Sequence, residues 1–430
     1  MSHSESMLAR RERLMGPSVQ TFYDEPVHLV SGEGVWVWDA DGRRYLDCYN
    51  NVPHVGHCHP KVVEAIAKQA ATLNTHTRYL HDNVLDYLEL LTASFADPLS
   101  CGILTCSGSE SNDVAMRMAQ AKTGNLGFIA TDHTYHGNTA LVSQLSKGKV
   151  PIGGHVEYVH HVPAPDSVRP LGGEAGDAHA RAFGAAVGEA IQKLQDDGYG
   201  LAAFVICPYF ANEGFPDLAP GFLDEACKAV RSAGGLVIAD EVQCGFGRTG
   251  NTLWCHDDIG LKPDIVTLGK PMGNGHPVSA VVTSQEILGC FREHYRYFNT
   301  FGGNAVSAAA AMATFQVLEE EGLQENAVTV GNYARDGLRQ LQDLFPVIGD
   351  VRGKGLFFGA EMLLDSQAKT PATQYCHRLA NAMRQRGVLL NYLGIHYNTL
   401  KIRPPMPFSK QNVDLLIETL GAALKATPVE

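Results

Sequence analysis

From about residue 100 the chain alternates short apolar runs with stretches of helical apolar spacing, and this alternation limits its fold more than any other feature. Segments 102–105, 127–131, 202–206, 235–239 and 265–268 read as buried strands. Segments 110–123, 177–197 and 221–233 read as the helices between them. Strands apolar on both faces, with helices between, build a mostly parallel sheet covered on each side. The expected fold class is therefore α/β.

The flanks extend this reading. The first fifteen residues are polar, a frayed or lead-in helix. Segments 34–39 and 44–47 flank Asp39-Ala40-Asp41-Gly42 and predict a hairpin. Val62, Val63, Ile66, Ala67 and Ala70 predict a helix over 60–72. After residue 320 come a helix over 331–344, a glycine-containing link over 349–355, a strand over 355–362, a helix over 373–386 and a last helix over 411–425. The expected organisation is a large domain over 61–320, a smaller α/β domain over 321–430, and an N-terminal segment 1–60 that packs with the small domain.

Two strand ends carry chemistry. The run Ile265 to Leu268 delivers Lys270 into the glycine-rich stretch Gly269-Lys270-Pro271-Met272-Gly273-Asn274-Gly275. Upstream, Leu236-Val237-Ile238-Ala239 ends in Asp240. A lysine and an aspartate at the C-terminal ends of parallel strands suit pyridoxal 5'-phosphate (PLP). The amine can form a Schiff base, and the carboxylate can pair with the pyridinium nitrogen so that the ring acts as an electron sink. A desolvated lysine has a lowered pKa, which suits imine chemistry. An Asp buried at a strand end also needs a cationic partner.

Ser107-Gly108-Ser109-Glu110 follows a strand and opens a helix, where small residues and free amides accept a phosphate. The same residues also serve as an ordinary helix cap. Tyr135, in Thr134-Tyr135-His136-Gly137, could stack on a flat ring, and alone it reads equally as a loop aromatic. Gln243 is placed to reach a ring hydroxyl if Asp240 takes the nitrogen.

Composition excludes several classes. The net charge of -12 opposes nonspecific nucleic-acid binding, while a site can still be locally basic. No apolar run approaches the roughly 20 residues that span a bilayer. Met1 to Arg13 lacks the apolar core of a secretory leader. The ten cysteines are scattered without a Cys-x-x-Cys pair, so free thiols in a cytoplasmic setting are expected.

With these residues in view, the chain resembles class III aminotransferases, PLP enzymes of fold type I, from about Gly16 to the last helix. The resemblance rests on Ser107-Gly108-Ser109-Glu110, Tyr135-His136-Gly137, Ala239-Asp240-Glu241-Val242-Gln243, Gly269-Lys270 and Asn299-Thr300-Phe301-Gly302-Gly303-Asn304. It implies that Ser107, Gly108 and Ser109 hold the phosphate, that Tyr135 and His136 meet the ring with Gln243, that Asp240 pairs with the ring nitrogen, and that Lys270 forms the Schiff base. Thr300 would reach the cofactor of a second copy, which implies a homodimer with shared sites, or a tetramer of such dimers.

The stretches 45–60, 78–83 and 269–277 are similar to a branch holding ethanolamine-phosphate phospholyase and bacterial ω-aminotransferases. This marks Asn50 and Arg78 as candidate substrate residues. Three departures stand out. The family's Glu-Pro after the strand over 202–206 is Cys207-Pro208 here. Its gating glutamate falls on Asn212, beside Glu213. Its carboxylate-clamping arginine aligns with Lys401, with Arg403 two residues on. An ammonium is a point charge where a guanidinium is a fork. Lys401 and Arg403 complete the candidate substrate set.

Some signals are set aside. Gly245-Phe246-Gly247-Arg248-Thr249-Gly250 matches a dinucleotide fingerprint, but no helix is expected after it. His54, His57, Cys58 and His59 crowd too closely for a closed metal site and read as a loop lining the site entrance. Arg78 reads as a surface ion pair or as an anion anchor. The leading expectation is transamination of a small primary amine. The alternative is elimination of phosphate and ammonia from a substrate of the O-phosphoethanolamine kind. A noncatalytic PLP-binding protein is the third reading.

Overall fold

The computed structural model describes residues 3–148 and 150–429. Its centre is a seven-stranded sheet in the order Cys101–Thr105, Ser279–Thr283, Ile265–Leu268, Leu236–Asp240, Leu201–Ile206, Gly127–Thr131, Val159–Val162. Ser279–Thr283 runs antiparallel to both its neighbours, and the other neighbouring pairs are parallel. The α/β fold expected from the alternation is the one found. The central strands Leu201–Ile206 and Ile265–Leu268 are buried along their whole length, as apolar runs require when helices cover both faces.

The antiparallel strand was not expected, and its cause is local. The connection from Leu268 to Ser279 holds only a 3-10 turn, Lys270–Gly273, and Asn274 in the left-handed region. A parallel return needs a crossover of a dozen or more residues. This connection is too short for one, so the chain turns back on itself.

Helix Gly108–Thr123 opens two residues before the expected start. The Ser107 hydroxyl accepts from the Glu110 amide at 3.3 Å, and Glu110 Oε2 accepts from the Cys106 amide at 2.7 Å. At the N-terminus the hairpin Trp36–Asp39 and Arg44–Asp47 gains a further strand, Leu29–Glu33. Arg44–Asp47 pairs in parallel with Val388–Leu389. Tyr23 donates to the Leu390 carbonyl and Arg384 pairs with Glu25, so the N-terminal segment lies on residues near the C-terminus.

The expected link over 349–355 is instead mostly strand. Ile348–Lys354 pairs antiparallel with Phe357–Asp365, which pairs with Thr399–Ile402. The expected helix over 331–344 begins earlier, as Leu323–Leu344. Gly331 sits inside it because the Gly355 carbonyl approaches so closely that a Cβ at residue 331 would lie 2.0 Å from that oxygen. Among the described residues no helix is long and apolar enough to cross a membrane.

Candidate active site

Four sheet strands and one helix bring residues at or after their ends to a single cavity of about 220 Å3. It is lined by Gly108, Ser109, Tyr135, His136, Gly137, Cys207, Asp240, Val242, Gln243 and Lys270. Asp240 is the last residue of its strand and is buried. His136 Nδ1 lies 2.6 Å from Asp240 Oδ2, the Asn112 amide donates to the same oxygen at 3.0 Å, and the Val242 N–H donates to Oδ1 at 3.0 Å. His136, Asn112 and the Val242 amide together give the buried carboxylate hydrogen-bond partners, in place of the single cation expected.

The support continues behind it. Asn112 also donates to the His136 carbonyl at 2.7 Å and accepts from Thr267 Oγ1 at 2.7 Å, while His136 Nε2 meets Thr134 Oγ1 at 3.0 Å. Asn112 and Thr267 were not read as site residues from sequence. The only available signal was a polar residue inside an otherwise apolar helix face or strand.

Lys270 follows Gly269 with φ of +28°. Its amine is pushed down to about 8, by burial first and then by the charge of Arg403, with Asp240 acting in the opposite direction. A larger neutral fraction near neutral pH makes it a better nucleophile and base.

The phosphate end is built from backbone. The first-turn amides of Gly108–Thr123 have no acceptor within the helix. Ser109 Oγ accepts from the Asn138 amide at 3.2 Å. Gly137, at φ +146°, leaves room that a side chain would close, because a Cβ there would stand 2.6 Å from Ser109 Oγ. Tyr135 is half exposed at the rim, and its carbonyl accepts from Asn212 Nδ2 at 3.4 Å. An anion cradle, a carboxylate and an amine around one cavity fit PLP. Ser107, Gly108 and Ser109 would hold its phosphate, Tyr135 and His136 would flank its ring, and Lys270 would take its aldehyde.

A second cluster borders the first. Lys401 and Arg403 are both buried, and both donate to Gln243 Oε1, at 2.9 and 2.6 Å. Their further acceptors are the carbonyls of Ala211 and Tyr49, at 3.5 and 3.4 Å. Burial drives Lys401 well below its ordinary value, aided by Arg403 and Lys270, and burial pushes Arg403 down to about 10. Gln243, expected to serve only a ring hydroxyl, is also the acceptor that gathers these cations. Its Nε2 donates to Asn212 Oδ1 at 3.2 Å. Glu213 turns away, accepting from Thr131 Oγ1 at 2.5 Å and from the Asn212 amide at 3.1 Å, and its carboxyl is raised by burial.

Other expected site residues lie elsewhere in the chain. Asn50 borders a neighbouring cavity with Asp47 and Tyr49, and its Oδ1 accepts from the Val52 amide at 3.2 Å, which ties it to its own turn. Arg78 is exposed with its guanidinium 3.9 Å over the Phe298 ring, a cation–π contact where an ion pair or an anion anchor was expected. Thr300 is exposed on the loop after Tyr295.

His54 does not line an entrance. It is buried, its Nε2 meets the Phe246 carbonyl at 2.7 Å, and Arg248 donates to its Nδ1 at 3.0 Å. His57 pairs with Asp47 and His59 with Glu321, so the histidines go to separate partners. The glycine stretch 245–250 is filled by Arg248, which also donates to the Leu356 and Pro404 carbonyls.

Residues 20–424 match the family described as aminotransferase class-III. The chain belongs to the class III aminotransferase family. It is 42% identical over 427 residues to the alanine–glyoxylate aminotransferase 2-like protein of Drosophila melanogaster, covering 96% of this chain and 85% of that one. It is 37% identical over 435 residues to ethanolamine-phosphate phospho-lyase homolog 1 of Caenorhabditis elegans, covering 97% and 92%. Among solved structures it superposes on a phospholyase from Arthrobacter in complex with phosphoethanolamine. The TM-score is 0.94 at 42% identity, covering 98% of this chain and 100% of that one. Class III aminotransferases and the related phospholyases depend on PLP, and this chain is a PLP-dependent enzyme of that fold.

Proposed function

We propose that this enzyme acts on a small primary amine with an anionic terminus, and that its reaction is elimination of phosphate and ammonia from a substrate of the O-phosphoethanolamine kind. The carrying observation is the pair Lys401 and Arg403, a buried amine and a buried guanidinium that both donate to one neutral amide oxygen beside the Lys270 cavity. Two buried nitrogen donors held only by amide and carbonyl oxygens match a dianionic group, whose charge would also favour the protonated amine, better than a single carboxylate. The neutral Asn212, where the family carries a gating glutamate, puts an amide on Gln243, while the neighbouring Glu213 carboxyl bonds to Thr131 instead.

PLP, once bound, supplies the electron sink that makes the carbon next to nitrogen acidic. The residues of the chain do the rest. Asp240, fixed by His136, Asn112 and the Val242 amide, would pair with the ring nitrogen and keep it protonated. Lys270, free during the chemical step, takes the proton from the carbon bearing nitrogen. Lys401 and Arg403 orient the phosphate on the next carbon and stabilise its charge as it leaves. No keto acid enters this cycle.

Transamination is the second reading, favoured by relatives named alanine–glyoxylate aminotransferase 2 in Drosophila, Arabidopsis and human. It shares the first proton removal and differs in where Lys270 returns the proton. Phosphate release from O-phosphoethanolamine, with PLP and no keto acid, separates the two. Many turnovers support elimination. No release, with amine-dependent consumption of pyruvate or glyoxylate, assigns transamination instead.

We also propose a homodimer with shared sites. Leu80 is 96% exposed and Phe301 71%, beside the exposed Arg78, Phe298 and Thr300. An apolar group of this kind suits a subunit interface, which would bring Thr300 and Arg78 to the second copy's cavity. Light scattering tests this, and an active monomer would overturn it. All ten cysteines are free, which supports the proposal of a reducing, cytoplasmic setting.

A further inference from the structure

Cys207 stands where the family carries a glutamate, and the reaction above gives it no role. Its thiol lines the Lys270 cavity, at the end of the strand Leu201–Ile206. Behind it, Cys244 Sγ lies 4.0 Å from Cys207 Sγ. The two follow the ends of neighbouring parallel strands, since Ile206 pairs with Ala239, Cys207 comes next after Ile206, and Cys244 lies in the turn after Asp240. Cys244 in turn donates to Glu241 Oε2 at 3.2 Å. The other Glu241 oxygen is fixed by the His256 amide and ring at 2.7 and 2.8 Å.

We propose that Cys207 is an oxidation site for small hydroperoxides that reach it through the cofactor cavity, and that Cys244 resolves the oxidised thiol into a Cys207–Cys244 disulfide. Cys207 is itself buried, at 7% exposed, but it lines the cavity and has a second thiol behind it, the order of a sensor and its resolving partner. The buried Cys244, whose thiol burial raises well above its ordinary value, is not itself the entry point. Its position beside the Glu241 carboxylate gives its proton somewhere to go.

The chemistry balances. The Cys207 thiol attacks the O–O bond, forms S–OH and releases one water from hydrogen peroxide, or the corresponding alcohol from an alkyl hydroperoxide. Cys244 Sγ then attacks the Cys207 sulfur. The S–S bond forms, the S–O bond breaks, and the departing hydroxyl leaves as a second water with the Cys244 proton, taken up through Glu241. Two thiols lose two electrons and one peroxide gains them. Closing from 4.0 Å to a bond of about 2 Å draws the Cys207 sulfur away from the cavity wall that also holds Gln243 and Lys270. The oxidised enzyme therefore loses most of its turnover, whichever reaction it catalyses.

The test is hydrogen peroxide added to the PLP-loaded enzyme, followed by peptide mapping and by turnover before and after, each protein compared with itself. The expected result is a crosslink joining the peptides of Cys207 and Cys244, loss of turnover, and return of both mass and turnover with dithiothreitol. Cys244→Ser should stop at a sulfenic acid on Cys207 that dimedone captures. Cys58→Ser, at an exposed thiol, should respond as the parent does. A crosslink between Cys244 and Cys255, an unmodified Cys207, or a Cys207–Cys244 crosslink that leaves turnover intact would each overturn the proposal.

Discussion

His136 Nδ1 and Asp240 Oδ2 meet at 2.6 Å, both buried, at the junction of two strand ends. Asp240→Asn keeps the shape and removes the charge. It also sets a second amide against the donors of His136 and Asn112. Leaving a buried hydrogen-bonding group without its partner costs about 1–3 kcal/mol, on the order of tenfold to a hundredfold in rate. We expect turnover to fall by that factor while PLP content, read by its absorbance, falls far less. Equal turnover would remove Asp240 from its assigned role.

Only the neutral form of Lys270 can attack the PLP aldehyde. Its amine lies at about 8, lowered by burial and then by Arg403. The rate at which apoenzyme captures PLP should therefore rise with pH and level off above about 8. Arg403→Gln removes one of the two causes, so its midpoint should move up. Lys270→Ala should abolish the visible band of the lysine–cofactor adduct altogether.

Lys401→Met and Arg403→Gln each remove a charged donor from the proposed phosphate site. A hydrogen bond to a charged group contributes about 1.5–3 kcal/mol, so KM for a phosphorylated amine should rise about tenfold to a hundredfold. Inorganic phosphate should lose potency as an inhibitor in parallel. Asn212→Glu should act in the same direction by placing a carboxylate beside Gln243. A KM that does not move in any of the three places the anion elsewhere.

Gly137→Ala tests the cradle. The added methyl would stand 2.6 Å from Ser109 Oγ and 2.8 Å from Ser109 Cα. Overpacking of this kind costs about 1–3 kcal/mol. Retention of PLP on gel filtration should fall while the far-ultraviolet circular dichroism stays that of the parent.

Lys270 and Asp240 were legible because each ends a run of buried apolar residues, where a charged side chain has no structural purpose. The large sheet was legible for the same reason. The support around Asp240 was legible only in part: His136 was named for the ring, but its bond to Asp240 and the roles of Asn112 and Thr267 join three elements that meet only through the register of the folded sheet. The strand Ile348–Lys354 was read as a link because glycines obscure its pattern, although those glycines serve close backbone packing. Arg78 was read as a charge seeking a charge, and its partner is an aromatic ring distant in sequence. The cluster of His54, His57 and His59 misled because proximity along the chain said nothing of their separate partners.

The single oxygen of Gln243 that holds both Lys401 and Arg403 ties three positions into one unit of inheritance. Changing any one of them alone strands a buried charge or an amide, so their effects will not add. A new specificity at this pocket is reached more readily through paired substitutions than through a series of single steps. Libraries that vary residues 243, 401 and 403 together should then yield altered enzymes that one-at-a-time scanning misses.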